Sequence, residues 1–157
     1  MKKIILAFSL VLSLAGIVQA QPYTLANIGR DSLGIEIGGS DFIFGKGLLA
    51  SEFSLRNTHD APESWGAESI GKSYNYAPEV GFLVKTGYTV TPLNLTVWAG
   101  AGASWQNKVD IGFTGASDKF HKYFQGAGGL MYRWNRALIQ VGYNNRRGVV
   151  GGLGVTW

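Results

Sequence analysis

Between Leu93 and Gln106 the sequence alternates residue by residue, and no other feature restricts its fold so much. Odd positions read Leu93, Leu95, Val97, Ala99, Ala101, Ala103 and Trp105; even positions read Asn94, Thr96, Trp98, Gly100, Gly102, Ser104 and Gln106. One set is apolar and the other polar or very small, with Trp98 the exception. Side chains of a strand point alternately to opposite faces, so the two sets separate cleanly; a helix would mix them. The pattern recurs. Val80, Phe82 and Val84 oppose Glu79, Gly81, Leu83 and Lys85. Phe120, Phe124, Leu130, Tyr132 and Trp134 oppose His121, Tyr123, Gln125, Met131 and Arg133, with Lys122 interrupting the apolar set. Ala137, Ile139, Val141 and Tyr143 alternate with Leu138, Gln140, Gly142 and Asn144. Nearer the start, Leu49, Phe53 and Leu55 oppose Glu52, Ser54 and Arg56, and Ile35 and Ile37 flank Glu36.

Turn chemistry divides these runs. Thr91-Pro92, Trp134-Asn135-Arg136 and Asn144 to Gly148 are tight joins, whereas Asn57 to Ser73 and Asn107 to Asp118 are expected to be long polar loops. Strands are therefore predicted over 33–44, 47–56, 74–90, 93–106, 119–134, 137–144 and 148–157. A division of the first run at Ser40-Asp41 is the alternative. Closed antiparallel barrels of bacterial membranes take an even number of strands, and Tyr23 to Gly29 supplies an eighth.

The first twenty residues are of another kind. Lys2 and Lys3 precede an apolar run from Ile4 to Val18, and Val18-Gln19-Ala20 offers small residues around a cut. This is the pattern of a cleaved signal peptide over 1–20, leaving a single domain over 21–157. Without those lysines, twelve basic and ten acidic side chains remain, a net charge of +2. No cysteine is present, which excludes a disulfide scaffold and thiolate zinc sites.

Alternation does not say which face is wet. Three features turn the apolar face outward, as in a membrane. The opposite face carries Gly81, Gly87, Gly100, Gly102, Gly152 and Gly154 rather than the lysines and glutamates of a soluble surface. Aromatics of the apolar face gather near strand ends: Tyr88, Tyr132, Trp134 and Trp157 toward one rim, Tyr76, Trp105, Phe120, Phe124 and Tyr143 toward the other. Such girdles flank the apolar band of a membrane barrel. Short joins share one side with the C-terminus, and long ones share the other. Eight crossings of about 9–11 residues fit this length. The expected fold is all-β: a closed antiparallel up-and-down transmembrane β-barrel of eight strands.

With its last strand, Gly148 to Trp157, the chain resembles the small eight-stranded outer-membrane barrels, the group containing the OmpA membrane domain and OmpX. The resemblance implies the outer membrane of a Gram-negative-type bacterium, contact with outer-membrane lipid and lipopolysaccharide, and recognition of Leu153, Val155 and Trp157 by the barrel assembly machinery. A structural or surface-interaction role is expected, with an extracellular loop partner left open. The alternatives are a secreted soluble barrel binding a small apolar ligand, a lipid-modifying enzyme and a narrow pore.

The expected interior holds Glu36, Glu52, Glu79, Lys85, Arg133 and Gln140, with Arg56 near a rim. Opposite charges in a narrow bore should pair, because an isolated buried charge costs several kcal/mol. Arg146-Arg147, Arg30 and Lys119 are candidate contacts for lipopolysaccharide phosphates at the outer rim. Ser117, Asp118 and His121 lie close in sequence, as do His59, Asp60 and Ser64. Neither group offers an identifiable oxyanion element, the His-x-Ser-Asn stretch of outer-membrane lipid A deacylases is absent, and no catalysis is expected. Two histidines without cysteine make a transition-metal site improbable. The glycine runs lack the helix that a phosphate-binding loop needs. No cofactor is expected, and no basic stripe with stacking aromatics points to nucleic acid.

Overall fold

The computed structural model describes residues 21–41, 46–58, 70–75, 77–113 and 115–157. Eight strands close a ring: β1 (Gln21–Gly29), β2 (Ser32–Asp41), β3 (Gly47–Arg56), β5 (Glu79–Val90), β6 (Leu95–Gly112), β7 (Gly115–Trp134), β8 (Ala137–Asn144) and β9 (Gly148–Thr156). Each pairs antiparallel with its predecessor in the ring, and β9 returns to β1 with Leu25 opposite Gly154. The short β4 (Ser73–Asn75) pairs with the upper part of β6, beyond β5 and on the same edge of β6.

Local chemistry sets the corners. Asp31, Asn94 and Asn135 take left-handed backbone conformations (φ 53°, 51° and 55°), which Asp and Asn tolerate better than most residues. A single turn of 3-10 helix, Thr91–Leu93, contains Pro92 and is capped by Asn94. In the β8–β9 turn the Asn144 side chain accepts backbone N–H bonds from Arg146 (2.8 Å) and Arg147 (3.2 Å).

Two sequence expectations need correction. The strand expected over 74–90 is broken: Ala77 and Pro78 are not in a strand, and the piece before them, β4, meets the same edge of β6 with its register shifted by two residues. Proline cannot donate to a ladder and restricts the residue before it. Asn107 to Asp118 is mostly not a loop, because β6 and β7 continue through it as a paired hairpin from Leu95↔Tyr132 up to Gly112↔Gly115. Polarity there reflects solvent on both faces, which is compatible with strands. The strand expected over 33–44 is present from Ser32 to Asp41, and its last residues, Phe42 to Phe44, lie outside the described residues, as do 59–69 of the expected long loop.

The side chains are inverted relative to a soluble barrel. Ile28, Leu33, Ile35, Phe53, Val97, Val141, Leu153 and Val155 are exposed on the outside, while Glu36, Glu52, Glu79 and Lys85 are buried within. The bore has two storeys. Near the chain ends Tyr23, Leu25, Leu48, Ala50, Trp98, Met131 and Leu138 form an apolar cluster. Above it the interior is ionic.

Candidate functional site

The ionic storey is built around one like-charge pair. Glu36 and Glu52 are direct cross-strand neighbours on β2 and β3, an arrangement that is destabilising unless a cation intervenes. Lys85 of β5 intervenes: its Nζ lies 2.6 Å from Glu36 Oε2 and 2.6 Å from Glu52 Oε2. It also sits 4.2 Å from the centre of the Trp98 ring, a cation–π contact that closes its apolar side. Gly100, beside Lys85, leaves room for the lysine stem, since a Cβ there would lie 3.0 Å from Lys85 Cγ.

Further groups satisfy the two carboxylates. Tyr23 Oη donates to Glu36 Oε1 at 2.6 Å and Asn27 Nδ2 to Glu36 Oε2 at 3.2 Å. Gln140 Nε2 donates in turn to Asn27 Oδ1 at 2.9 Å. Arg147 reaches down from the β8–β9 turn, pairs with Glu52 and donates from Nε to Ser32 Oγ at 2.9 Å. The network thus ties β1, β2, β3, β5, β8 and the last turn together across the bore.

Glu79 centres a second group near the outer rim. Arg146 grips it with two parallel bonds, Nε to Oε1 at 2.9 Å and Nη2 to Oε2 at 2.8 Å, a geometry that suits guanidinium to carboxylate. Ser104 donates to Glu79 and Arg56 approaches it at 3.5 Å. The Arg146 guanidinium lies 3.9 Å from the centre of the Tyr123 ring.

Arg133 is not with them. It lies at the opposite rim, half-buried, and donates to Asp41 Oδ2 at 2.8 Å and Gln21 Oε1 at 2.9 Å. The expectation that Arg146 and Arg147 face lipopolysaccharide phosphates is corrected: both turn into the bore, toward Glu79 and Glu52. They sit on a turn, where period-two parity gives no direction. Arg30 and Lys119 remain exposed, and Lys119 is paired with Asp110.

Tyr88, Tyr132, Trp134, Tyr143 and Trp157 are exposed on the outside, and Trp105 is half-buried. Tyr76 lies outside the described residues. Leu153 and Val155 also face outward from β9. Phe120 sits high on the β6–β7 hairpin, opposite Asn107 and beyond the end of β8. At the hairpin tip Phe113 is almost wholly exposed. Lower down, Asp110 is held by Lys119 and Ser73, and those contacts keep its carboxyl below the usual aspartate range.

Ser117 and His121 share a face of β7 but stand four residues apart, about 13 Å along a strand, too far for a base to reach a nucleophile. His121 instead stacks on Tyr123, ring centres 6.2 Å apart. His59, Asp60 and Ser64 lie outside the described residues. Sequence reasoning missed Tyr23, Asn27 and Ser104 as members of the network and directed the two turn arginines outward. Parity could have placed Asn27 opposite Ile28 and beside Gly152, but not the arginines.

No family model and no curated protein matches the chain. Among solved structures it is similar to Ail, the attachment invasion locus protein of Yersinia pestis, with TM-score 0.50 and 8% identity over 87% of this chain and 91% of that one. The fold is that of the small eight-stranded outer-membrane barrels. The N-terminal β-barrel domain of Pseudomonas aeruginosa OprF is also similar, at TM-score 0.48 and 15% identity over 88% of this chain and 98% of that one. In this outer-membrane barrel fold, the wide apolar exterior and the ionic interior occupy opposite faces of the same strands.

Proposed function

We propose that the chain is an integral outer-membrane barrel of a Gram-negative-type bacterium, with a plugged bore, that serves as a rigid mount for a surface-contacting hairpin. The carrying observation is the Lys85 ammonium between Glu36 and Glu52, flanked by Trp98 and Arg147. In a narrow eight-stranded interior we take this cross-braced cluster to fill the bore above the apolar cluster. Glu36, Glu52, Glu79, Lys85 and Gln140 serve as the plug, and Arg133 as a rim clasp. Tyr88, Tyr132, Trp134, Trp105, Tyr143 and Trp157 sit at the lipid–water boundaries, with Leu153, Val155 and Trp157 as the assembly signal. A closed ring satisfies every ladder donor and acceptor without water, as hydrocarbon demands.

The surface role rests on the length of β6 and β7, which rise beyond the end of β8 with Phe113 at their tip. The reading assigns the chain no chemistry of its own. Planar-bilayer recording tests the plug: the purified barrel is expected to show no steady single-channel conductance, and sustained ohmic steps would overturn it. Gel mobility in SDS before and after boiling tests the barrel in the membrane. Solubility without detergent would instead favour the secreted ligand-binding alternative, which requires the apolar face to line the interior.

A further inference from the structure

Above β8, the strand β7 has an edge that no described residue covers. Pairing with β8 ends at Ala127↔Asn144, and Asn145 finishes it: its N–H donates to the Gly126 carbonyl at 3.0 Å, its side-chain oxygen accepts from Gly126 N–H at 3.1 Å, and its Nδ2 donates to the Phe124 carbonyl at 3.3 Å, so the open edge begins at Lys122. These bonds fix the direction of the backbone. Gly126 aims its own N–H and C=O at this edge. Strand alternation makes Lys122, Phe120 and Asp118 do the same. The other flank of the hairpin is occupied, since β4 lies along β6. Asp118, Phe120 and Lys122 are all exposed on the outer face, whereas the Lys119–Asp110 ion pair lies on the other.

We propose that this edge pairs antiparallel with the same edge of a second copy on an apposed membrane, centred on Phe120; the proposal rests on the surface reading above. With Phe120 opposite its counterpart, Asp118 of each copy faces Lys122 of the other, and all three positions fall on hydrogen-bonded pairs. Opposite charges placed directly across a ladder are favourable, and like charges are unfavourable. A shift of the pairing by two residues loses both ion pairs. A further shift sets Asp118 against Asp118 or Lys122 against Lys122. The charge pattern therefore selects one self-complementary register.

Geometry selects the apposed membrane. Copies side by side in one membrane run their β7 strands parallel, so antiparallel pairing needs an inverted copy. From Phe120 to Gly126 is about 20 Å at about 3.4 Å per residue, which holds the two barrel rims about 40 Å apart measured along the strands. At that spacing the Gly115 end of one hairpin comes level with Gln125 of the other, and Phe113 at its tip abuts the opposing rim beside Asn145. Each contact is small, and many copies per surface multiply it.

The test uses the full mature chain in phosphatidylcholine vesicles, with clustering followed by light scattering. Wild-type vesicles are expected to cluster. Vesicles carrying Asp118→Lys alone or Lys122→Asp alone should lose clustering, and the double exchange should regain it. Mixing the two single-variant populations should produce mixed clusters, because one then presents two cations and the other two carboxylates. Dispersed wild-type vesicles, single variants that cluster like wild type, or mixed populations that stay apart would each overturn the proposal. The heat-dependent gel shift is read on every sample: its loss in wild type would sink the membrane-barrel reading, while dispersal with the shift intact sinks only the homotypic contact.

Discussion

Lys85 balances two carboxylates that the ladder sets side by side, so its removal is costly in a specific way. Lys85→Met keeps the stem but strands Glu36 beside Glu52, with only Arg147 as a full counter-charge. Breaking a buried ion pair by removing one partner typically costs about 3–5 kcal/mol, and a loss of that order is expected in urea unfolding of the detergent-held barrel. Trp98 makes a second demand. Its indole lies over two glycines, and a Cβ at Gly142 would stand 2.7 Å from Trp98 Cζ2 and 2.7 Å from the Gly128 carbonyl oxygen. Gly142→Ala should therefore cost about 1–3 kcal/mol through overpacking, seen as a lower temperature for the gel shift. Parity placed Trp98 on the inner face, but read from sequence it looked like an exception. Only the surrounding glycines show that the space was made for it.

At the scale of elements, the hairpin and β4 hang on Asp110. Its carboxyl is held below the usual range chiefly by the Lys119 hydrogen bond and then by Ser73. A depressed carboxylate stabilises the fold above its unfolded pKa and loses that contribution as pH falls through the folded value. The β4–β6 pairing should thus be intact at neutral pH and loosen only in acid, below about pH 4. Lower protection factors at Tyr74 and Asn75 below that pH, with exchange referred to its slower intrinsic rate in acid and the β1–β9 ladder still protected, are the expected result. Eight barrel strands were legible because one face is apolar and period two is unmistakable. The hairpin extension was not legible, because Lys108, Asp110, Asp118 and Lys122 mix charge into both faces once neither is in contact with lipid or core. Pro78 was the readable sign that 74–90 could not stay one strand.

For the molecule as a whole, the exposed apolar exterior and the buried ionic interior are one statement about orientation. Spin labels at Val97 and Leu153 should report hydrocarbon in reconstituted vesicles, and labels at Gly100 and Gly152 should not. Aqueous signals from the first pair, with lipid signals from the second, would reverse the barrel's assignment. The ionic storey was partly legible: Glu36, Glu52, Glu79 and Lys85 fell on the inner parity, and charge balance demanded partners. Which partners was not legible, because Arg146 and Arg147 arrive from a turn on the far side of the ring.

That origin has a consequence for how the barrel is finished. Glu36, Glu52 and Glu79 belong to the first half of the chain, where Lys85 and Arg56 are their nearby cations. The remaining counter-charges ride on the last bend before the final strand. A ring that still lacks β8 and β9 has Glu36 and Glu52 sharing Lys85 and only Arg56 near Glu79, and the same hairpin that seals the seam with β1 brings Arg147 to Glu52 and Arg146 to Glu79. Closing the wall and pairing the acids it encloses are accomplished by one keystone.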